Sequence, residues 1–213
     1  MATTEPWNWA GRKPGGQAVG KVLCFFSKEM ADFEITLLFH KIKTVSDHEI
    51  VTVGYDLEPL VSESGLTYLP NQTISQVMAE PDTDALIIPG GSIFPQREGL
   101  TQLIKKLDSE RKLLAAICNG PQYLGPAGVL DTHRFTTSNS RGKIRALNVT
   151  DPFPWEKYVD KRVVLDRRII TAKGRAFVDF TFAVCDYLGF YDHRMAERDR
   201  LYADIVNRPL SSG

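Results

Sequence analysis

The chain has 213 residues, 43% of them hydrophobic and 24% charged, and its 26 basic side chains balance 26 acidic ones. This length and composition suit one globular domain with a sizeable core and exclude a largely disordered chain. Zero formal net charge removes the overall basic footprint of a nucleic-acid or anionic-membrane partner. No apolar run approaches the roughly 20 residues of a bilayer span, and the N-terminus lacks the contiguous apolar stretch of a secretory signal. Cys24, Cys118 and Cys185 are far apart and odd in number, so they form neither a disulfide framework nor a clustered metal site. A cytoplasmic protein is therefore expected, with no metal and no cofactor, and the sequons at Asn71 and Asn148 are read as accidental.

Residues 1–20 are rich in Gly, Pro and polar residues and read as an N-terminal arm, leaving 21–213 as a single α/β domain with a C-terminal helix. Residues 21–27 (KVLCFFS) are a continuous apolar run of strand length, the pattern of a strand covered on both faces. Phe33, Leu37, Leu38 and Ile42 then recur at helical spacing, with Asp32 as N-cap. A second strand is expected over 48–55, followed by turn residues, and a third over 84–89, ended by Gly90 and Gly91. Leu100, Leu103, Ile104 and Leu107 mark an amphipathic helix over 97–110. Residues 112–118 read as a strand and 120–129 as an apolar helix. A hairpin is expected over 163–172, a helix over 176–188 with Phe177, Phe180, Val184 and Tyr187 on one stripe, and a charged helix over 193–208. Strands alternating with helices predict a parallel sheet covered on both faces, with ligands bound at the carboxyl ends of the strands.

Gly15, Gly20 and Lys21 have the spacing of a phosphate-binding P-loop. Val22, however, stands where a hydroxyl should hold Mg²⁺, and the segment precedes a strand instead of following one. No nucleotide is expected there.

The most informative stretch is 113–121 (LLAAICNGP). A buried strand runs into Cys118, and the small residues Ala116 and Gly120 flank it two positions away, which is the pattern of a nucleophile elbow. A helix starting immediately afterwards would place amides and a partial positive charge near the sulfur and favour thiolate. A buried structural cysteine ending a strand fits the same residues. Gly91 N–H, at the strand-end turn Pro89-Gly90-Gly91, and Asn119 N–H are candidate oxyanion donors, although a plain loop would also carry the glycine pair. Glu34, in the first turn of the first helix, is the candidate proton partner; a partner for the helix dipole is the plainer reading.

Taken together and in order, KVLCFF, Ala31-Asp32-Phe33-Glu34, ALIIPGG, AAICNGP and Ile169-Ile170-Thr171-Ala172-Lys173-Gly174 resemble the ThiJ/PfpI superfamily over about 21–188. The resemblance implies a three-layer sandwich with a mostly parallel central sheet, flavodoxin-like or class I glutamine amidotransferase-like, assembled as a homodimer. It carries the elbow cysteine onto Cys118 and the acid of the first helix onto Glu34, with Asp32 the competing acid. It also places the segment containing Ser138 and Asn139 beside the cysteine, and Gly90 and Gly120 become supporting pocket residues. A carboxyl beside a thiolate shares one proton with it, because each negative charge disfavours the other. Some relatives place a His directly after the cysteine, where this chain has Asn119, or in the segment that here reads Thr137-Ser138-Asn139. His40, His48, His133 and His193 are not placed near the elbow by any motif.

The expected function is a cysteine-dependent enzyme acting on a small electrophile by amide hydrolysis, glyoxalase- or deglycase-like chemistry, or hydration. In it Cys118 is the nucleophile and Glu34 the proton partner. The alternatives are a redox sensor with an oxidisable Cys118 and a stress-protective holdase with a vestigial site.

Overall fold

A computed structural model describes residues 20–206. The expected arm except its last residue, positions 15–19 of the P-loop-like spacing and the end of the expected terminal helix at 207–208 lie outside the described residues. The chain runs β1 (Lys21–Phe25), α1 (Phe33–Val45), β2 (Glu49–Gly54), β3 (Leu60–Val61), β4 (Thr67–Tyr68), β5 (Gln72–Thr73), α2 (Ile74–Met78), β6 (Thr83–Ile88), α3 (Glu98–Ser109), β7 (Leu113–Ile117), α4 (Arg141–Ala146), β8 (Val163–Asp166), β9 (Ile169–Ala172), α5 (Phe177–Tyr187) and α6 (Met195–Val206). None of the described helices is long and apolar enough to cross a membrane.

Seven strands form one sheet in the order β5-β2-β1-β6-β7-β9-β8. All neighbours are parallel except β8, which pairs antiparallel with β9 at one edge. Successive strand side chains point to opposite faces, and in β1, β6 and β7 both faces are apolar. Leu23, Leu86 and Leu114 pack beneath α2, α3 and α4, whereas Val22, Ala85 and Ala115 pack against α1 and α5. The result is a three-layer α/β/α sandwich with two cores. Register then levels the carboxyl ends of three strands: Ile88 lies opposite Ala116, and Ile117 opposite Ala172. The turns after β6, β7 and β9 consequently stand side by side.

Helix periodicity selects most of the buried faces, although Leu37 and Phe177 are only half-buried. Leu100, Leu103, Ile104 and Leu107 of α3 are all buried, as are Leu38 and Ile42 of α1. Phe33 is 48% exposed and Tyr187 41% exposed, so each leaves the stripe expected of it. Phe33 instead meets Phe177 edge-on at 6.0 Å across the tops of α1 and α5. Asp32 makes no side-chain cap; its carboxylate accepts from Ser64 Oγ (2.7 Å) and Tyr68 Oη (2.9 Å), tying the β3–β4 hairpin to the start of α1. That hairpin, together with β5 and α2, occupies the stretch that reads only as turn residues in the sequence. Its two-residue strands are too short to show a period, although Thr73 and Gln76 form a capping box on α2.

Leu86 lies fully buried in the middle of β6, between the central strands. Leu86→Ala should lower unfolding free energy by about 2–5 kcal/mol, the cost of lost burial plus a cavity. Denaturant titration checks this, and a change below about 1 kcal/mol would mean that the site collapses freely.

Candidate active site

β7 ends at Ile117, and Cys118 turns the chain with φ of +60°. A non-glycine residue in that region carries strain unless the surroundings over-determine it. Here they do. Cys118 N–H donates to Ala172 O (2.8 Å), and Cys118 O accepts from Ser138 N–H (2.9 Å) and Thr137 Oγ1 (2.6 Å). Gly120 follows because nothing larger fits: a Cβ there would lie 2.5 Å from Ile88 O and 2.8 Å from Pro89 O.

The α-helix expected over 120–129 is absent. Gly120–Tyr123 is a single 3₁₀ turn, and a second 3₁₀ turn forms at Val129–Thr132. Gly125, Pro126 and Gly128, the last at φ +77°, break any longer helix, and they were the breaker signal in the sequence. The macrodipole argued for this cysteine from a following helix therefore has only one short turn behind it.

Glu34 sits in the first turn of α1 and is 1% exposed, so it is neither solvated nor a surface dipole partner. Its Oε2 accepts from Gly90 N–H at 2.8 Å, and its carboxyl hydrogen-bonds with the Cys118 sulfur. Asp32, held by Ser64 and Tyr68, is the acid that does not reach the sulfur. Gly90 is thus committed to Glu34, and a Cβ on it would strike Cys118 Cβ at 2.5 Å. Gly91 adopts φ +114°, where a Cβ would lie 2.1 Å from Glu29 O. The pairing of Met30 with Gly91 is made through the flanking bonds Ala31 N–H to Gly90 O and Ser92 N–H to Glu29 O, so the pairing makes no use of Gly91 N–H. Asn119 Nδ2 donates to Gly91 O (2.6 Å) and locks this turn to the elbow, while Asn119 N–H faces the sulfur.

Ser138 joins the same group. Its hydroxyl hydrogen-bonds to the Cys118 sulfur and accepts from Gly174 N–H at 3.0 Å. Gly174 is the site residue whose role sequence reasoning did not assign: a Cβ there would lie 2.6 Å from Glu34 Oε1 and 3.0 Å from Cys118 Sγ. Lys173-Gly174 was visible as a motif, but its partners Glu34, Cys118 and Ser138 come from segments far apart in sequence. Cys118 opens into a cavity of about 720 Å³ shared with Glu29, Glu63, Asn119, Asn139 and Lys143. Lys143 comes from α4, a six-residue helix with no periodic signal of its own, capped by Ser140. The aromatic loop at 150–158 does not rim this cavity. Phe153 and Tyr158 pack on Phe135 at 5.5 and 6.0 Å.

Cys24 and Cys185 are fully buried. His48 pairs with Asp84 at the amino end of the sheet, and His133 is bound through Nδ1 to Val129 O (2.8 Å). Neither ring lines the Cys118 cavity.

A family model described as the DJ-1/PfpI family matches residues 20–186. The chain belongs to the DJ-1/PfpI family. It is 30% identical to a deglycase of Pyrococcus horikoshii over 72% of this chain and 89% of that one. It is 26% identical to an isonitrile hydratase of Pseudomonas putida, over 75% of this chain and 68% of that one. Among solved structures, a DJ-1 superfamily protein from Agrobacterium tumefaciens superposes with a TM-score of 0.72 at 27% identity, covering 88% of this chain and all of that one. A ThiJ/PfpI family protein from Bacillus anthracis gives 0.74 at 20% identity over 92% and 94%, a likeness of fold.

In this DJ-1/PfpI chain the two central groups are shifted in the same direction. Burial pushes the Glu34 carboxyl up to about 7, with Glu63 adding repulsion and the Gly90 and Cys118 hydrogen bonds opposing. Burial and then the Glu34 charge push the Cys118 thiol up to about 11, against hydrogen bonds from Ser138 and Asn119 N–H. Each negative charge disfavours the other, so the pair keeps one proton between its members, and the thiolate expected from a helix N-terminus has only one short turn behind it.

A carboxyl raised from 4.5 to about 7 on folding holds its proton more tightly in the native state. Its contribution is intact below about pH 4.5 and falls as pH rises through about 7, by about 3 kcal/mol in all. Glu34→Gln, which cannot ionise, should remove this decline. Unfolding free energies at pH 5 and pH 8 test it, and an equal wild-type-to-variant difference at both would contradict a raised Glu34.

Proposed function

We propose that this DJ-1/PfpI protein is a cysteine-dependent enzyme acting on a small electrophilic carbon: a carbonyl of an amide, glycated amine or 2-oxoaldehyde, or an isonitrile. The observation that carries the reading is the buried Glu34 carboxyl hydrogen-bonded to Cys118 at the floor of an open cavity. Relatives named deglycase and isonitrile hydratase support the same class.

Cys118 Sγ forms the new bond to carbon as its S–H bond breaks, and the proton passes to Glu34. A carboxylate near 7 is matched to that task at neutral pH, where a thiol near 11 supplies little free thiolate. The electron pair displaced from a carbonyl goes to its oxygen, for which the N–H groups of Gly91 and Asn119 are the proposed donors. Glu34 then returns the proton to the leaving group or to the new adduct; in hydrolysis or hydration a water next adds to the sulfur-bound carbon, giving its proton to Glu34, and the C–S bond breaks as Glu34 returns that proton to Cys118 Sγ. Ser138, Gly174 and Gly90 position the pair without touching the substrate.

Methylglyoxal, glycated amines, isonitriles and small amides form the test panel. Turnover of at least one should vanish in Cys118→Ser and drop by about 10²–10⁴ in Glu34→Gln. Turnover that survives Cys118→Ser, or its absence from the whole panel, overturns the proposal.

A further inference from the structure

The sheet reverses its winding at β1: the chain steps to β2 on one side and returns to β6 on the other. Open α/β sheets take ligands in the crevice outside such a reversal, at the carboxyl ends of the strands. Cys118 stands one strand further along, after β7. At the reversal itself lies a second cavity, of about 610 Å³, between the segments that follow β1, β2 and β6. This volume falls within the range of small-molecule sites.

Its walls are chiefly Tyr55, Pro59, Leu60, Val61, Phe94 and Tyr123. The two tyrosine rings meet Phe25 edge-on at 5.1 and 5.6 Å, so the aromatic wall is backed by the core. Tyr55 Oη accepts from Arg97 N–H at 3.1 Å, and Ser27 and the Phe94 amide lie close to the Tyr123 hydroxyl. Four charges at the rim cancel, Lys28 and Arg97 against Asp56 and Glu58, with Arg97 3.6 Å from Asp56. Gln96, whose buried Oε1 has no hydrogen-bond partner, also lines the crevice, which otherwise offers an uncharged group a preformed and largely apolar surface. Phe94 lines both this cavity and the one holding Cys118, so a single molecule can lie across its ring.

We propose that this second cavity receives an uncharged aromatic or branched aliphatic substituent of the molecule whose electrophilic carbon sits at Cys118. The inference rests on the cysteine-dependent reading above, and it narrows the substrate class from any small electrophile to one carrying such a substituent. The site then has a reactive end and a distal recognition end, with Phe94 between them.

Two paired comparisons test it: benzyl against methyl isonitrile, and phenylglyoxal against methylglyoxal. In the pair that is turned over, kcat/KM should favour the larger substrate by about ten- to a hundredfold, as expected for burying a phenyl group. Val61 is 48% exposed on β3, so Val61→Trp can fill the cavity from its rim and should bring that ratio towards one. Should Val61→Trp fail to fold, Val61→Asp places a charge in the same space and should do likewise. Binding of benzamide against acetamide to the Cys118→Ser protein, followed by saturation-transfer NMR, separates the two proposals. Benzamide binding that Val61→Trp abolishes, without turnover of either pair or of any glycated amine or amide, would leave the distal site standing and remove the enzyme. Equal kcat/KM within the pairs, or benzamide binding indifferent to both Val61 variants, would overturn the distal site.

Discussion

The burial of the Glu34 carboxyl against Cys118 sets the terms for its surroundings. A carboxyl 1% exposed must either keep its proton or find donors. The carboxyl of Glu34 is given the Gly90 amide and the sulfur, too few to hold it fully ionised, and it settles near 7. The pair also needs space that no side chain may enter. Gly90 and Gly174 supply it, one after β6 and one after β9, each at a place where a single methyl would displace the carboxylate or the sulfur. Residue choice at three distant points of the chain is thus dictated by one contact.

That contact exists only because the sheet brings the three turns level. Parallel register aligns Ile88 with Ala116 and Ile117 with Ala172, so the chain leaves β6, β7 and β9 at the same height. Cys118 is then held in a left-handed conformation by a strand neighbour on one side and by the 137–138 segment on the other. The strain of that turn is offset by bonds to two separate elements. This keeps the sulfur directed at Glu34 instead of following the direction of the strand.

The sheet and its long helices were legible in the sequence because their signals are long and repeated. Apolar runs such as KVLCF and LLAAI admit few readings other than buried strands, and α3 shows a clean helical stripe. The elbow was legible from Ala116, Cys118 and Gly120, since sterics alone restrict the flanks. Less legible was whatever depends on contacts distant in sequence. Ser138 and Gly174 meet across 36 residues, and although each lies in a segment the resemblance picks out, nothing local to either says that they bond. The helix expected after Cys118 shows the opposite error: apolar content was weighed above Gly125, Pro126 and Gly128, and the backbone preferences of those residues prevailed.

An asparagine directly after Cys118 governs the proton inventory of the site more than its shape. An imidazole could take a proton from the thiol and leave the carboxylate as its orienter. Asn119 can do neither; its carboxamide is spent on Gly91 O, fixing the geometry of the turn that holds the Gly91 amide. Acid and base work in the proposed chemistry therefore falls to one carboxyl, which must be ionised to accept the thiol proton and protonated to give it back. A group poised at about 7 is half in each form near neutrality, which suits a role used in both directions better than an ordinary glutamate near 4.5 would. Burial, which makes Glu34 costly to ionise in the folded chain, is also what tunes it for that role.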